Sequence, residues 1–309
     1  MAPHHRATRR TTLKTVTARD GLLARDTGPW GLTKLSFLDD YCSAAIQATE
    51  RKVQRYYVDL FAGPGINVVR GAPATEFEGS PLRVLRYVGQ QREDLSFTHA
   101  VFINAMARDH QALETRVNRI VQSGHSRLVR DHIDLIQGDA NRVVSATLRG
   151  IPNKAYVLVF ADMEAPKQWP WDSMKELKAH GHQSVDLYTL FPLDMAIVRL
   201  LSYRRDHFDR YAAALTQFFG TDAWRGIATR RLTDAHSPQL RRDLVNLYLE
   251  QLRTQWKHAG EMVDVYRRGE QRLYKMLFAC DHPVGKTISD WIKSHPSERD
   301  QGDLFPRQP

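Results

Sequence analysis

The stretch Tyr56-Tyr57-Val58-Asp59-Leu60-Phe61-Ala62-Gly63-Pro64-Gly65 decides the fold of this chain. Its apolar first half predicts a buried strand, which ends near Asp59 and is followed by a turn that contains two glycines. In an open α/β sheet, ligands bind beyond the carboxyl ends of the strands, and glycines let the backbone approach a ligand closely. We therefore expect a ligand crevice here, in which Asp59 meets the charged amine of an amino-acid-like group.

The composition fits a globular protein. The 309 residues, of which 42% are hydrophobic, suffice for one α/β domain with insertions or for two small domains. No apolar run approaches the roughly 20 residues that span a bilayer, and the first residues lack the apolar core of a signal peptide. Cys42 and Cys280 are too far apart for a CxxC metal site, and we predict two buried thiols. We expect a cytoplasmic protein that makes no membrane contact.

The charge is strongly basic. A formal net charge of +9 and a pI near 9.6 favour an anionic partner, nucleic acid first. Genome composition alone can also produce such an arginine-rich excess. Residues 1–19 carry five Lys or Arg side chains and no acid. We predict that residues 1–28 form a flexible basic segment, and that this segment grips phosphates.

Strands and helices alternate along the first 200 residues. Apolar residues at helical spacing predict a helix over 33–50, with Thr33 as its N-cap, which leads into a strand at 56–61. Residues 66–79 carry Gly, Pro and Thr without periodicity and predict a long loop beside the crevice. Such alternation predicts a doubly wound, mostly parallel sheet. The later strands are expected at 97–103, 132–136, 156–161 and 185–191.

The C-terminal third has a different pattern. The pattern of residues 203–258 predicts polar helices. The apolar runs at 263–266 and 273–278 predict a hairpin that closes the sheet. The predicted domain organisation has five parts. They are a basic segment (1–28), an α/β core (29–202), a helical insertion (203–258), a hairpin and helix that complete the core (259–293), and a flexible tail (294–309).

Six short strings carry a family resemblance. They are Trp30 with Lys34 and Tyr41, DLFAGPG at 59–65, GSPL at 79–82, FAD at 160–162, LFPL at 190–193 with Arg199, and LFACDHPVG at 277–285. In this order they resemble the three-Cys-motif partner proteins, over roughly residues 29–292. The resemblance implies a Rossmann-like class I methyltransferase fold that binds S-adenosylmethionine (SAM). It also implies a protein partner, because the three cysteines of the family name belong to that partner.

Two positions depart from the family pattern. The second strand of such methyltransferases usually ends in an acid that binds the ribose hydroxyls, whereas this chain has Asn104, which accepts hydrogen bonds without a charge. After the fourth strand the family has Asp-Pro-Glu-Gly or Asp-Pro-Phe-Gly, whereas this chain has Asp162-Met163-Glu164-Ala165-Pro166. The two acids are retained and the proline is displaced. These departures affect cofactor affinity and catalysis more than the fold.

The resemblance implies a cofactor role for five residues. Asp59 is expected to meet the SAM amino group, directly or through water, and Asn104 to face the ribose. Asp139 follows the third strand and is expected to accept a hydrogen bond from the adenine amine. Gly63 and Gly65 are expected to let the cofactor approach the backbone. The alternative for each acid is an ordinary strand-end carboxylate that caps a helix or is solvated.

The acceptor side is expected to involve five further residues. Asp162 would contact the acceptor nucleophile as the catalytic group, with Glu164 as a second carboxylate, because methyl transfer requires the acceptor to be held and oriented. Trp169 and Trp171 would stack on a flipped or single-stranded base, or else cover the edge of the sheet. Ser80 is a candidate substrate contact or, alternatively, a helix cap.

Two functions remain open from the sequence. The first is a SAM-dependent methyltransferase that acts on nucleic acid or a nucleotide-like acceptor. The second is a catalytically degenerate methyltransferase fold that serves as a binding module for nucleic acid or protein. No metal site is predicted, because His180-Gly181-His182 lacks a third ligand nearby.

Overall fold

The described part of the chain, residues 15–69, 75–201, 205–229, 238–267 and 271–295 of a computed structural model, contains two β-sheets. One sheet has seven strands and the other has four. The strands are β1 (Thr15–Thr17), β2 (Leu23–Thr27), β3 (Arg55–Asp59), β4 (Ile66–Val69), β5 (Thr75–Glu78), β6 (His99–Asn104), β7 (Ile133–Gln137), β8 (Tyr156–Ala161), β9 (Ser184–Phe191), β10 (His258–Arg267) and β11 (Gln271–Cys280).

The seven-stranded central sheet has the order β10-β11-β9-β8-β3-β6-β7. Strands β7, β6, β3, β8 and β9 pair in parallel, and the β10–β11 hairpin joins β9 antiparallel. This order and this reversed edge are those of the Rossmann-like α/β fold of class I methyltransferases. The predicted fold class is therefore confirmed, and the five parallel strands lie within about three residues of the predicted ranges.

The central sheet is buried on both faces. Strand β8, whose six residues are all buried, pairs with β3 so that Asp59 lies opposite Phe160. Side chains of β3 alternate between two apolar clusters, with Tyr56 and Val58 on one face and Tyr57 on the other. Burial on both faces is characteristic of parallel sheets and explains the continuous apolar runs in the sequence.

Helices supply the other side of each cluster. The helices are α1 (Trp30–Ala48), α2 (Ser80–Val84), α3 (Ala107–Gln122), α4 (Ala140–Arg149), α5 (Trp171–Glu176), α6 (Val198–Leu200), α7 (Arg205–Phe219), α8 (Trp224–Ala228), α9 (Pro238–Arg253) and α10 (Pro283–Ser294). Helices α4, α5, α7, α8 and α9 contribute to the Val58 face of the central sheet, and α1, α3 and α10 contribute to the Tyr57 face.

The small sheet corrects two predictions. It has the order β1-β2-β4-β5, so residues 66–69 and 75–78 form two strands where a long loop was predicted, and residues 15–27 contribute two strands where a flexible segment was predicted. These residues show little apolar periodicity because the small sheet is held largely by polar groups. The buried side chain of Arg116, on α3, donates to the Asp20 carboxylate and to the backbone carbonyls of Leu23 and Pro64.

Smaller differences concern element boundaries. Helix α1 begins at Trp30 with Pro29 as its N-cap, so Thr33 lies inside the first turns and is not the cap. The C-terminal hairpin strands are longer than predicted. Helices α7, α8 and α9 lie within the range 203–258, which was predicted as a helical insertion. The flexibility predicted for residues 1–14 and 296–309 falls outside the described residues.

None of the helices in the described residues combines the length and the apolar character that crossing a bilayer requires.

Candidate functional site

The glycine turn after β3 forms the floor of the candidate site. Gly63 and Gly65 have φ angles of +67° and +89°, a backbone conformation that glycine adopts without steric cost. The Asn104 side chain holds this turn, because its Oδ1 accepts from the Gly63 N–H at 2.7 Å and its Nδ2 donates to the Gly63 carbonyl at 2.9 Å. Both arms of the amide are therefore bound to the turn, and Asn104 is buried beneath the site rather than lining it.

Asp59 lies at the end of β3, completely buried. Its Oδ2 accepts from the Ser80 hydroxyl at 2.6 Å, and its Oδ1 accepts from the Phe61 N–H at 3.1 Å. Burial raises the pKa of the Asp59 carboxyl to about 6, although these two hydrogen bonds oppose the shift. Asp59 thus lies one layer behind the cleft surface, while Ser80 lines the cleft and connects the two.

A cleft of about 70 Å³ opens at this carboxyl edge, between the central sheet and the small sheet. Of the predicted site residues, Gly65, Ser80, Asp162 and Glu164 line it. The other lining residues are Arg25, Asp26, Thr27, Trp30, Gly31, Lys34, Leu35, Phe61, Ala62, Pro64, Asn67, Phe77, Gly79, Leu190, Met195 and Tyr274.

Asp162 is the most informative carboxylate in the cleft. Its Oδ2 accepts from the Lys34 ammonium at 2.5 Å and lies 3.6 Å from the Arg25 guanidinium. Its Oδ1 is buried and has no hydrogen-bond partner among the described residues. A buried polar oxygen without a hydrogen-bond partner is costly. Asp162 therefore carries an unsatisfied acceptor at a residue that lines the cleft.

Glu164 follows Asp162 into the cleft. Its backbone N–H and that of Ala165 both donate to the Gln168 Oε1, at 2.6 Å and 2.9 Å, so this side chain fixes the loop after β8. The displaced Pro166 begins a single helical turn that ends at Gln168. The loop thus holds its two acids at the cleft without the proline of the family pattern.

Asp139 lies elsewhere. It is the N-cap of α4, where its Oδ1 accepts from the Asn141 N–H at 3.0 Å. It does not line the cleft. Asp139 thus caps a helix in the structure, and its contact with the adenine amine stays a prediction.

The two tryptophans are also placed differently from the stacking prediction. Trp169 is completely buried and packs edge-on against Phe61 at 5.9 Å, and Trp171 is 6% exposed and packs against Tyr248. Neither indole lines the cleft, so neither offers an open face to a base. Both belong to the apolar core, because the chain after β8 turns back under the helices instead of out over the site.

Sequence reasoning missed Arg25 as a site residue and gave Lys34 no site role. Lys34 projects from α1 to Asp162, and Arg25 projects from β2. Arg25 was missed because β2 reads Leu-Ala-Arg-Asp-Thr, which is too polar to indicate a strand. The one local signal is the Asp20-Gly21 pair, which is typical of a turn. In the structure this turn joins β1 to β2, and Gly21 has a φ of +78°.

The described residues contain no group of three or more His, Cys, Asp and Glu side chains able to hold a metal ion. Within the His180–His182 pair, the His182 Nε2 is 2.9 Å from the Leu148 carbonyl. That histidine is therefore engaged with the backbone of α4.

Comparisons with known proteins add fold-level similarity only. No protein-family model matches the sequence, and no curated protein matches it. The resemblance to three-Cys-motif partner proteins therefore stays a prediction.

Solved structures with similar architecture include proteins of the methyltransferase fold. A Legionella pneumophila protein of the DUF519 family is 8% identical with a TM-score of 0.44, over 86% of this chain and 92% of that one. Pyrococcus horikoshii Trm1, solved with S-adenosyl-L-methionine, is 8% identical with a TM-score of 0.42, over 83% and 58%. Pyrococcus horikoshii TYW2, solved with MeSAdo, is 10% identical with a TM-score of 0.41, over 87% and 72%. At such values the fold assignment depends on the strand order and not on these matches.

Proposed function

We propose that this protein is a SAM-dependent methyltransferase whose cofactor and acceptor meet in the cleft above the glycine turn. The observation that carries the proposal is Asp162, a residue that lines the cleft and whose buried Oδ1 has no hydrogen-bond partner in the described residues. Such an oxygen is suited to accept a hydrogen bond from the amine or hydroxyl of an acceptor. Lys34 holds the second oxygen and so fixes the orientation of the carboxylate.

The donor set at the cleft fits an amino-acid-like nucleoside cofactor. The positive φ angles at Gly63 and Gly65 bring the backbone to the cleft edge, and Asp59 with Ser80 supplies negative charge behind it. SAM would supply the methyl group, carried on a positively charged sulfur. The residues of this chain would bind and align the acceptor beside it, a contribution that consists of positioning.

The proposed acceptor is a nucleic acid or a nucleotide-like molecule. The net charge of +9 favours association with a polyanion. We propose that the basic residues near the N-terminus contribute phosphate contacts, and we retain a protein partner and a cytoplasmic location as parts of the proposal. Residues 1–14 carry Arg6, Arg9, Arg10 and Lys14 and can be removed without shortening β1.

Two measurements test the catalytic proposal. Titration calorimetry with SAM and with S-adenosylhomocysteine measures cofactor binding, and transfer of a labelled methyl group to DNA, RNA and cell lysate measures catalysis. We expect Asp162→Asn to abolish most transfer while Asp172→Asn, whose carboxylate is 89% exposed, leaves transfer unchanged. Failure of both cofactors to bind, or undiminished transfer by the Asp162 variant, would contradict the proposal.

The nucleic-acid part has its own test. Binding of the full chain to DNA and RNA should weaken with added salt, and deletion of residues 1–14 should flatten that dependence because fewer phosphate contacts release counterions. An unchanged slope in the shortened protein would show that these residues make no phosphate contacts.

A second candidate is a catalytically degenerate binding module. The engagement of both arms of the Asn104 amide with Gly63 favours it, because that side chain is then not oriented toward a ribose. This candidate predicts that ligand or nucleic acid binds with no methyl transfer to any acceptor. The labelled-methyl experiment therefore separates the two candidates directly.

A further inference from the structure

Arg25 brings a guanidinium group from the small sheet to the glycine turn of the central sheet. A Cβ atom at Gly63 would lie 3.0 Å from the Arg25 Nη2 and 3.2 Å from its Cζ. The same guanidinium lies 3.6 Å from the Asp162 Oδ2, and its side chain is 22% exposed. Arg25 therefore lies against the backbone that the proposed function assigns to the cofactor.

The surroundings of this guanidinium are strongly acidic. Burial lowers the pKa of Arg25, but nearby carboxylates outweigh that effect and raise the pKa above its ordinary value. These carboxylates are Glu164, Asp162, Asp109 and Asp59. They come from three different parts of the chain, and the glycine turn is thus a site built for positive charge.

The open space beside Arg25 is small. The cleft measures about 70 Å³, whereas pockets that bind small molecules usually span about 300–1,000 Å³. A nucleoside-sized ligand therefore needs more room than the closed arrangement gives. Among the described residues, β2 pairs only with β1 and β4 of the small sheet, so Arg25 and the strand that carries it could withdraw without disturbing the central sheet.

The strand β2 is held over the turn by few contacts. It pairs with β4 through Arg25, Asp26 and Thr27, and Arg116 clamps the preceding turn through Asp20 and the Leu23 carbonyl. The apolar support is slight, with Ala18, Ala24 and Val68 as the buried cluster. Local opening draws on regions with few buried apolar contacts and costs much less than global unfolding.

We propose that Arg25 is an internal cation that closes the ligand cleft, and that a positively charged ligand displaces it from the glycine turn. The identity of that ligand as SAM rests on the proposed function. SAM carries a sulfonium and an ammonium group, whereas S-adenosylhomocysteine lacks the sulfonium charge. The carboxylates around Arg25 would then exchange one cation for another, which favours the charged cofactor over the neutral-sulfur product.

A direct contact between Arg25 and SAM predicts the opposite change in SAM affinity when the guanidinium is lost. If Arg25 instead bound SAM directly, for example by donating to the carboxylate of SAM, loss of the guanidinium would weaken SAM binding. If Arg25 closes the cleft, its loss should strengthen binding, because the apparent affinity is reduced by the fraction of molecules that are closed. Minor open states are commonly about 0.1–10% populated, so the gain should be roughly tenfold or more.

The first experiment measures Kd for SAM and S-adenosylhomocysteine by calorimetry in wild type, Arg25→Gln and Arg25→Lys. Arg19→Gln is the matched control, because Arg19 lies in the same segment and its side chain is 78% exposed. We expect Arg25→Gln to bind SAM at least about tenfold tighter, with a smaller gain for the product and an intermediate value for Arg25→Lys. The control should equal wild type. Weaker or unchanged SAM binding by Arg25→Gln would overturn the proposal.

The second experiment needs no cofactor. Hydrogen exchange of residues 22–27 should be faster in Arg25→Gln than in Arg19→Gln, because the strand loses its hold on the carboxylates. In Arg25→Ala, ethylguanidinium should refill the cation site and raise the melting temperature, whereas neutral ethylurea should not. Equal exchange in both variants, together with equal effects of the two small molecules, would overturn the proposal.

The two experiments separate the inference from the proposed function. If neither wild type nor any Arg25 variant binds SAM or its product, the cofactor assignment fails. The cation site is then decided by hydrogen exchange and by ethylguanidinium alone. If SAM binds wild type and Arg25→Gln equally, the cofactor assignment stands and the closing role of Arg25 fails.

Discussion

The central sheet and the small sheet are stabilised in different ways. The central sheet buries both faces, so that β8 has no exposed residue. The small sheet has a buried apolar cluster of three residues, Ala18, Ala24 and Val68, and depends on Arg116 and Arg25 for much of its attachment. The difference teaches that global stability comes mainly from the apolar strands of the central sheet, whereas the site combines the ends of those strands with polar residues of the small sheet. Substitutions in the two sheets should therefore have different consequences.

The largest expected effect is in the central sheet. Leu158→Ala, at a completely buried position of β8, should lower the free energy of unfolding by about 2–5 kcal/mol because it leaves a cavity in a packed core. The matched change Val68→Ala in β4 should shift the global urea midpoint far less, because the small sheet can open by itself. Urea unfolding followed by circular dichroism checks both. Equal losses would show that the two sheets unfold as one unit.

The next effect tests the attachment of the small sheet. Arg116→Gln removes a buried guanidinium with four hydrogen bonds, and it should lower the free energy of opening of residues 15–27 by about 3 kcal/mol. Hydrogen exchange measures that opening. The control is Arg119→Gln, since Arg119 is 56% exposed and 3.8 Å from the same Asp20, and its effect should be about 0–1 kcal/mol. Similar protection in both variants would contradict the assigned role of Arg116.

A pH effect is expected where the two sheets meet. The folded pKa of Asp59, about 6, lies above the ordinary value of 3.8, so its contribution to stability is fully present below about pH 3.8 and is lost as pH rises through about 6. Asp59→Asn removes that loss and should stabilise the protein at pH 7 by about 3 kcal/mol. Urea unfolding at pH 4 and pH 7 measures the difference.

Asp186 provides an internal comparison for this pH effect. Burial raises its pKa to about 6 as well, against hydrogen bonds from Tyr41 and Tyr156, and it remains in the Asp59 variant. The variant should therefore keep part of the wild-type pH dependence. A pH profile identical to that of wild type would show that Asp59 ionises freely in the folded protein.

The smallest effect concerns the start of α1. Loss of an N-cap side chain costs about 0.5–2 kcal/mol, and Thr33 would be that cap if the helix began at the predicted residue. Because α1 begins at Trp30, Thr33→Ala should change the free energy of unfolding by less than about 0.5 kcal/mol, with alanine the better helix former. A loss near 1 kcal/mol would move the functional start of the helix back to residue 33.

The sequence predicted the elements whose signal is apolar periodicity. The strands at β3 and β8 and the C-terminal hairpin follow from runs such as Tyr56–Val58, because burial on both faces leaves a continuous apolar pattern. The small sheet gave no such signal, since β2 alternates polar groups around Ala24. Arg25 was therefore assigned to the flexible basic segment 1–28, although it lies against the glycine turn.

The site was predicted in part for a related reason. Position at the end of a strand predicted Asp162 and Glu164 as site residues, and both line the cleft. It did not distinguish a carboxylate that faces the cleft from one that caps a helix, as Asp139 does. It also did not show that Trp169 and Trp171 turn inward. Those outcomes depend on the path of a few loop residues, which no short pattern specifies.

The order β1-β2-β4-β5 has a practical consequence for shortened versions of the protein. Residues 25–27 pair with residues 67–69, so trimming the chain to begin at the first helix would strip one side of β4. Its Ile66 and Val68 would then border an unpaired row of amide and carbonyl groups, which readily recruits a strand from a neighbouring molecule. A shortened protein that begins at α1 would thus be more prone to self-association than the full chain.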